Sequence, residues 1–214
     1  MKTTKKISLI LSVIEKSVNN YTIPLQEIAN RMNKFQILVS LILSSRTKDQ
    51  TTSLVMKRII DKRLNSPSDF LKISQEELKK IIRPCGFFSL KAKYLKELSK
   101  ILKDKPLPDT KEELLKLPGV GPKVANLFIN YCLGGNEIAV DTHVFRIANR
   151  IFFKKKPSRN PEETEKRMKD IIPEGKRAYI NTLFVKFGQN ICLPINPLCN
   201  KCLLKRLCPS YKPF

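Results

Sequence analysis

An all-α fold of about ten short helices is predicted for this chain of 214 residues, and three observations predict it. Apolar residues recur at helical spacing in nearly every segment, as expected when each helix buries one stripe. Residues that cap helix N-termini stand in front of several of these runs. Strand signals are weak, with no Asn-Gly hairpin and no sustained alternation of apolar and polar residues.

The elements follow in order. Ile7–Val18 sets Ile7, Ile10, Leu11, Ile14 and Val18 on one face. Phe35–Leu43 is almost wholly apolar between charged flanks, the pattern of a buried central helix. Asp49–Asp61 is amphipathic. Ser74 with Glu77, and Thr110 with Glu113, have capping-box spacing and open short helices. Leu90–Leu102 places Leu95, Leu98 and Leu102 on one side with lysines opposite. Asn160 reads as a cap and Pro161 as the first helical residue of a segment running through Glu162–Ile172. Arg177–Gly188 is the last long helix before a cysteine-rich end. Breaks fall at Cys132–Asn136, where Gly134 and Gly135 interrupt the helical pattern, and at the basic, proline-containing Phe153–Asn160. No repeat and no low-complexity linker is present.

A chain of this length buries roughly 70% of its unfolded surface, enough for one large or two small domains. Its formal net charge of +22 and pI near 9.9 exceed what solubility needs and point to a polyanionic partner, nucleic acid above all. An anionic membrane surface, or a sequence simply rich in lysine, is the competing reading. Six cysteines could form three disulfides in a secreted protein, but four crowd at one end in ligand-like spacing, and Cys85 and Cys132 sit in apolar segments. No small-residue cleavage site follows Ile7–Ile14, and Glu15–Lys16 continue the helical pattern. No run reaches the roughly 18 apolar residues of a membrane span. An intracellular protein is expected.

Three motifs carry chemistry. The turn Leu117-Pro118-Gly119-Val120-Gly121-Pro122-Lys123 joins two helical patterns. Its glycines permit positive φ and close backbone approach, and amides at the next helix start can hold an anion. An isolated turn of this kind is more often a plain helix–helix corner; the net charge and the adjoining lysine shift that balance. Lys123 reads as a phosphate contact, a solvated charge or a nucleophile, and a helix N-terminus among other cations favours the neutral amine that attack requires. Asp141, 18 residues further on, reads as an N-cap and, facing a ligand, as a carboxylate able to stabilise a cationic sugar. His143, the only histidine, reads as structural. The third motif is Cys192, Cys199, Cys202 and Cys208, a C-x6-C-x2-C-x5-C run within 17 residues. Spacing alone leaves zinc and an iron–sulfur cluster equally open. Lys201, Lys205 and Arg206 lie among these cysteines and can meet phosphates.

Together, Leu117–Ala125, the stretch Ile138-Ala139-Val140-Asp141-Thr142-His143-Val144 and the cysteine spacing resemble the endonuclease III family, helix-hairpin-helix DNA glycosylases with a C-terminal 4Fe–4S loop. Leu43-Ser44-Ser45-Arg46-Thr47-Lys48-Asp49 and Pro84-Cys85-Gly86-Phe87-Phe88 extend the likeness over essentially the whole chain. The resemblance implies that Lys123 is a Schiff-base lysine and Asp141 the essential aspartate. It implies that the four cysteines ligate a 4Fe–4S cluster and that the hairpin at Leu117, Gly119, Val120 and Gly121 binds phosphate. Phe87 takes the place of an apolar wedge in the base stack. Arg46 departs from the family's usual glutamine, which fills the gap left by an extruded base; arginine is long enough to fill it and to contact a base or phosphate.

The resemblance also implies two lobes, a central helical domain over 20–135 and a second built from 1–19 with 136–214, the cluster loop spanning 192–208 and the site lying between the lobes. The expected activity is that of a bifunctional DNA glycosylase and apurinic/apyrimidinic lyase acting on oxidised or reduced pyrimidines in duplex DNA, as a monomer and without a membrane partner, in the DNA-containing cytoplasm of a prokaryote. A mismatch glycosylase that removes adenine or thymine is the nearest rival. A non-enzymatic DNA-binding protein with a zinc-stabilised tail is the rival of another class.

Overall fold

The computed structural model describes residues 3–212; among them every regular element is helical, with twelve α-helices, three 3-10 turns and no strand. The chain divides into two compact units, Thr22–Gly134 and Met1–Tyr21 with Gly135–Phe214. The first two and last two residues of the lobe expected over 1–19 and 136–214 lie outside the described residues.

Helix α1 (Thr3–Val18) begins the discontinuous unit, and the predicted stripe of Ile7, Ile10, Leu11, Ile14 and Val18 is buried in full. The chain then builds the central unit from α2 (Pro24–Glu27), α3 (Lys34–Ser44), α4 (Asp49–Asp61), α5 (Pro67–Lys72), α6 (Gln75–Ile82), α7 (Phe88–Leu102), α8 (Lys111–Leu114) and α9 (Pro122–Cys132). Helix α3 is the buried axis: Leu38, Val39 and Leu43 are wholly out of solvent, and the Phe35 ring meets Phe70 of α5 edge-on at 5.5 Å. Its start is fixed by a complete capping box between Asn33 and Gln36, and α5 opens with another between Ser66 and Asp69. At the two boxes expected from sequence, the cap oxygens of Ser74 and Thr110 accept from the amides of Glu77 and Glu113, which is the first half of the motif. The Glu77 carboxylate faces Lys62 at 3.8 Å, across from α4, rather than closing its box.

After Gly134 the chain returns to the discontinuous unit through α10 (Thr142–Ile151), α11 (Pro161–Ile171) and α12 (Ile180–Asn190). Helices α1, α10 and α12 enclose a core that includes Val144, Ile147, Phe184 and Phe187. The last helix starts three residues later than Arg177, after a 3-10 turn at Glu174–Lys176. Arg177 turns back instead, donating to the carbonyls of Lys169 and Ile172 at the end of α11, which orphaned C-terminal carbonyls require. No helix among the described residues is long and apolar enough to cross a membrane.

Candidate nucleic-acid interface and catalytic residues

Helices α8 and α9 and the turn between them form a hairpin. Leu117 and Val120 turn their side chains into the core, so the turn presents backbone rather than side chains. The Val120 amide closes the turn on the Leu117 carbonyl at 3.1 Å. Gly119 has φ +79°, and a Cβ there would lie 3.0 Å from Tyr94 Cδ2 and 3.1 Å from Ile42 Cγ2. Gly119 thus seats the hairpin on α3 and α7. Gly121 is the N-cap of α9 and no side chain caps the helix; a Cβ on Gly121 would meet nothing within 4 Å. Pro122 fills the first helical position and half-buried Lys123 the second. The positive end of the α9 dipole and the first-turn amides therefore sit beside Lys123, an arrangement suited to an anion.

Asp141, in the other unit, caps α10: its Oδ1 accepts from the Val144 amide at 2.8 Å, and its carbonyl accepts from Phe145 at 2.9 Å. His143, one turn in, lies 3.1 Å from an Arg146 nitrogen and packs on Gly188 of α12, where a Cβ would come within 2.5 Å of the ring.

Arg46 and Phe87, distant in sequence, meet in the central unit. The Arg46 guanidinium carbon lies 5.3 Å from the centre of the Phe87 ring. Both backbones are left-handed, with φ of 50° and 57°, although neither residue is glycine. Each such conformation costs about 1–2 kcal/mol and persists where neighbours enforce it. Phe87 is 59% exposed, so its ring is offered to solvent while its backbone is held. A Cβ on neighbouring Gly86 would lie 2.5 Å from the Arg46 carbonyl oxygen, so the two loops touch backbone to backbone. Beneath them lies Lys91, which corrects the expectation that the lysines of this helix face away from its buried side: it is 5% exposed. Burial pushes its ammonium below the usual lysine range, the charge of Lys123 pushes the same way, and Cys85 opposes both.

The four cysteines line one cavity of about 440 Å³ together with Arg150, Leu204 and Lys205 among others. No group of three or more His, Cys, Asp or Glu side chains among the described residues stands close enough together to hold a metal ion. The loop is tied to the core by buried Leu204 and by two arginines of α10. Arg146 donates to the carbonyls of Gly188 and Cys192, while Arg150 donates to Cys192 Sγ at 3.3 Å and to the Leu193 and Pro194 carbonyls. Burial raises the Cys202 and Cys208 thiols above their ordinary range, and the charges of the neighbouring cysteines add to it. Four soft sulfur donors lining one cavity are a donor set that a metal ion or cluster takes, and a bound group would draw them together and hold them as thiolates. Lys201, Lys205 and Arg206 are all exposed on the same loop. Sequence reasoning missed Lys91, Arg146 and Arg150; Lys91 read as one of the lysines opposite the apolar side of its helix, and no local signal marked the two arginines.

A glycine hairpin on an all-helical scaffold, a helix N-terminus bearing lysine and a four-thiol terminal loop define a helix-hairpin-helix protein. Residues 39–174 match the HhH-GPD superfamily base excision DNA repair proteins, and the chain belongs to that family. It is similar to Endonuclease III-like protein 1 of Gallus gallus, 47% identical over 185 residues, covering 85% of this chain and 66% of that one. Endonuclease III of Thermotoga maritima is 41% identical over 181 residues, covering 83% of this chain and 84% of that one. The chain spans slightly under two thirds of the animal relatives it matches, 66% in Gallus gallus and 61% in Mus musculus. Among solved structures, a trapped endonuclease III–DNA covalent intermediate in an estranged-adenine complex matches with TM-score 0.87 and 32% identity, covering 98% of this chain and 97% of that one. A thermostable thymine-DNA glycosylase matches with TM-score 0.84 and 26% identity, covering 99% of both chains.

Proposed function

We propose that this protein is a bifunctional DNA glycosylase and apurinic/apyrimidinic lyase of base excision repair, acting on oxidised or reduced pyrimidines in double-stranded DNA. One observation carries the reading: Lys123 stands in the first turn of α9, directly after a glycine hairpin with no side-chain cap. The likeness to endonuclease III proteins, one of them trapped covalently on DNA, supports it.

The hairpin grips a phosphate through backbone amides, and the damaged nucleotide is extruded from the stack. Phe87 wedges the stack open and Arg46 occupies the vacancy. Lys123 Nζ donates its lone pair to C1′ while the bond to the base breaks, and the base leaves with the bonding pair and takes up a proton. Asp141 stabilises the cationic character of the sugar at this step. The opened sugar is then a protonated imine of Lys123, which acidifies the C2′ hydrogen. Loss of that proton expels the 3′ phosphate oxygen, and the strand is cut by β-elimination.

Cys192, Cys199, Cys202 and Cys208, which line one cavity, would hold a 4Fe–4S cluster in this reading; the likeness to endonuclease III proteins, not the cavity, supports a cluster over a single zinc ion. The cluster supplies fold to the loop and no step of the reaction. Lys201, Lys205 and Arg206 then face phosphates. The protein acts as a monomer on DNA inside a prokaryotic cell. The likeness to a thymine-DNA glycosylase keeps a mismatch glycosylase as the second reading. Borohydride in the presence of duplex carrying an abasic site separates the two. Wild type is expected to give a covalent protein–DNA adduct and Lys123→Gln to bind the duplex without one. Undiminished trapping in Lys123→Gln overturns the mechanism.

A further inference from the structure

The ammonium of Lys91 has three N–H donors, and all three are used. They go to the Leu43 carbonyl at 2.7 Å, the Ser45 carbonyl at 2.5 Å and Thr47 Oγ1 at 2.9 Å. These oxygens belong to the end of α3 and the loop that carries Arg46. The backbone amide of Lys91 donates to the Phe87 carbonyl at 3.0 Å. The side chain thus ties the Arg46 loop to the first turn of α7, the helix that begins at the Phe87 cap. Thr47 closes the circuit, its Oγ1 accepting from the Gly86 amide at 3.2 Å.

A lysine that merely satisfied the last carbonyls of α3 would need only Leu43 and Ser45. The third bond, to a hydroxyl that itself accepts from the opposite loop, is left over by that explanation. So is the pairing of two left-handed non-glycine residues with ring and guanidinium side by side. Both follow if the two loops are one fixed unit.

We infer that Lys91 is a positioning residue for base extrusion, pinning the Arg46 and Phe87 loops together through Thr47 so that the two side chains enter the duplex as a rigid pair. The inference rests on the proposed role of Arg46 and Phe87 in the base stack. Side chains ordered in advance lose less freedom on insertion, so the pin acts on extrusion of a paired base more than on chemistry at a site that has already lost its base.

The test uses a duplex with 2-aminopurine opposite a tetrahydrofuran abasic analogue, whose fluorescence rises when the stack is opened. Wild-type protein should raise it. Lys91→Met removes the ammonium, and Thr47→Val removes the bridging hydroxyl while keeping the Lys91 charge. Both should lower the fluorescence rise at saturating protein by at least about half. Both should also slow excision of a paired lesion by about tenfold or more in single turnover, as misplaced groups do, with borohydride trapping on preformed abasic sites falling less than about threefold. If Lys91→Met fails to fold, Thr47→Val decides. A full fluorescence rise in the variants, or equal losses in excision and trapping, overturns the role of Lys91 while leaving the proposed activity standing. A wild-type protein that leaves the fluorescence unchanged removes the insertion reading of Arg46 and Phe87, and the inference falls with it.

Discussion

The two glycines of one turn should respond to alanine in opposite ways. In Gly119→Ala the new methyl must sit at φ +79° and within 3.0–3.3 Å of Tyr94 and Ile42 atoms. The left-handed backbone costs about 1–2 kcal/mol. Approaches shorter than the roughly 3.5–4.0 Å carbon–carbon optimum add about 1–3 kcal/mol of overpacking. Together they predict roughly 2–5 kcal/mol of destabilisation, or a midpoint lowered by roughly 4–20 °C at this chain length. Gly121→Ala has an ordinary φ of −102° and no heavy atom within 4 Å of its Cβ, so the gain from a stiffer unfolded chain and the loss of a favoured N-cap residue should offset each other to within about 1 kcal/mol. In the proposed reading the methyl would instead stand where a phosphate approaches the start of α9. Losing one charge-assisted hydrogen bond, about 1.5–3 kcal/mol, weakens binding about ten- to hundredfold. Thermal melts by circular dichroism and fluorescence anisotropy on an abasic-analogue duplex, at one fixed salt concentration, read the two effects apart. A Gly119→Ala protein that melts like wild type refutes the packing argument. A Gly121→Ala protein that binds DNA at full strength refutes the phosphate grip.

Asp141→Asn keeps an oxygen able to accept from the Val144 amide, so the melting midpoint should move little. Base excision should fall at least about a hundredfold if the carboxylate stabilises a developing cation, and normal single-turnover excision would reduce Asp141 to a cap. Cys199→Ser should lose iron, soften the terminal loop and weaken DNA binding, because metal binding and loop folding are coupled. Elemental analysis of protein purified without oxygen checks this, and stoichiometric zinc in the wild type would sink the cluster. Neutralising Lys201, Lys205 and Arg206 together should weaken binding to every duplex and flatten the plot of log affinity against log salt by about 0.9 for each phosphate that is no longer neutralised; an unchanged slope means the cysteine loop does not touch DNA.

Local signals carried the helices. The spacing of Ile7, Ile10, Leu11, Ile14 and Val18 fixed which face of α1 is buried, and the bounds Asp49–Asp61 of α4 stand as read from its pattern. Asp141 and Asn160 were legible as caps because a cap is made within three residues. The helical hairpin and the thiol loop were legible for the same reason, since turn chemistry and ligand spacing lie within short stretches of chain. What sequence could not supply is the partner of a charge. Lys91 bonds oxygens 44–48 residues away, and Arg150 reaches Cys192 across 42. Amphipathic periodicity assigns Lys91 to a polar face, because it counts side chains and not the loops that come to cover them, and no local pattern names the distant groups that Arg150 reaches. The same limit hid the left-handed backbones of Arg46 and Phe87, since local sterics disfavour that conformation in both residues and only the packing of distant loops holds it. The amino-acid pattern by itself determined most of the longer helices, several of their caps and the residues able to do chemistry. Tertiary structure decided which charges are buried, and therefore which of them position others rather than meet solvent.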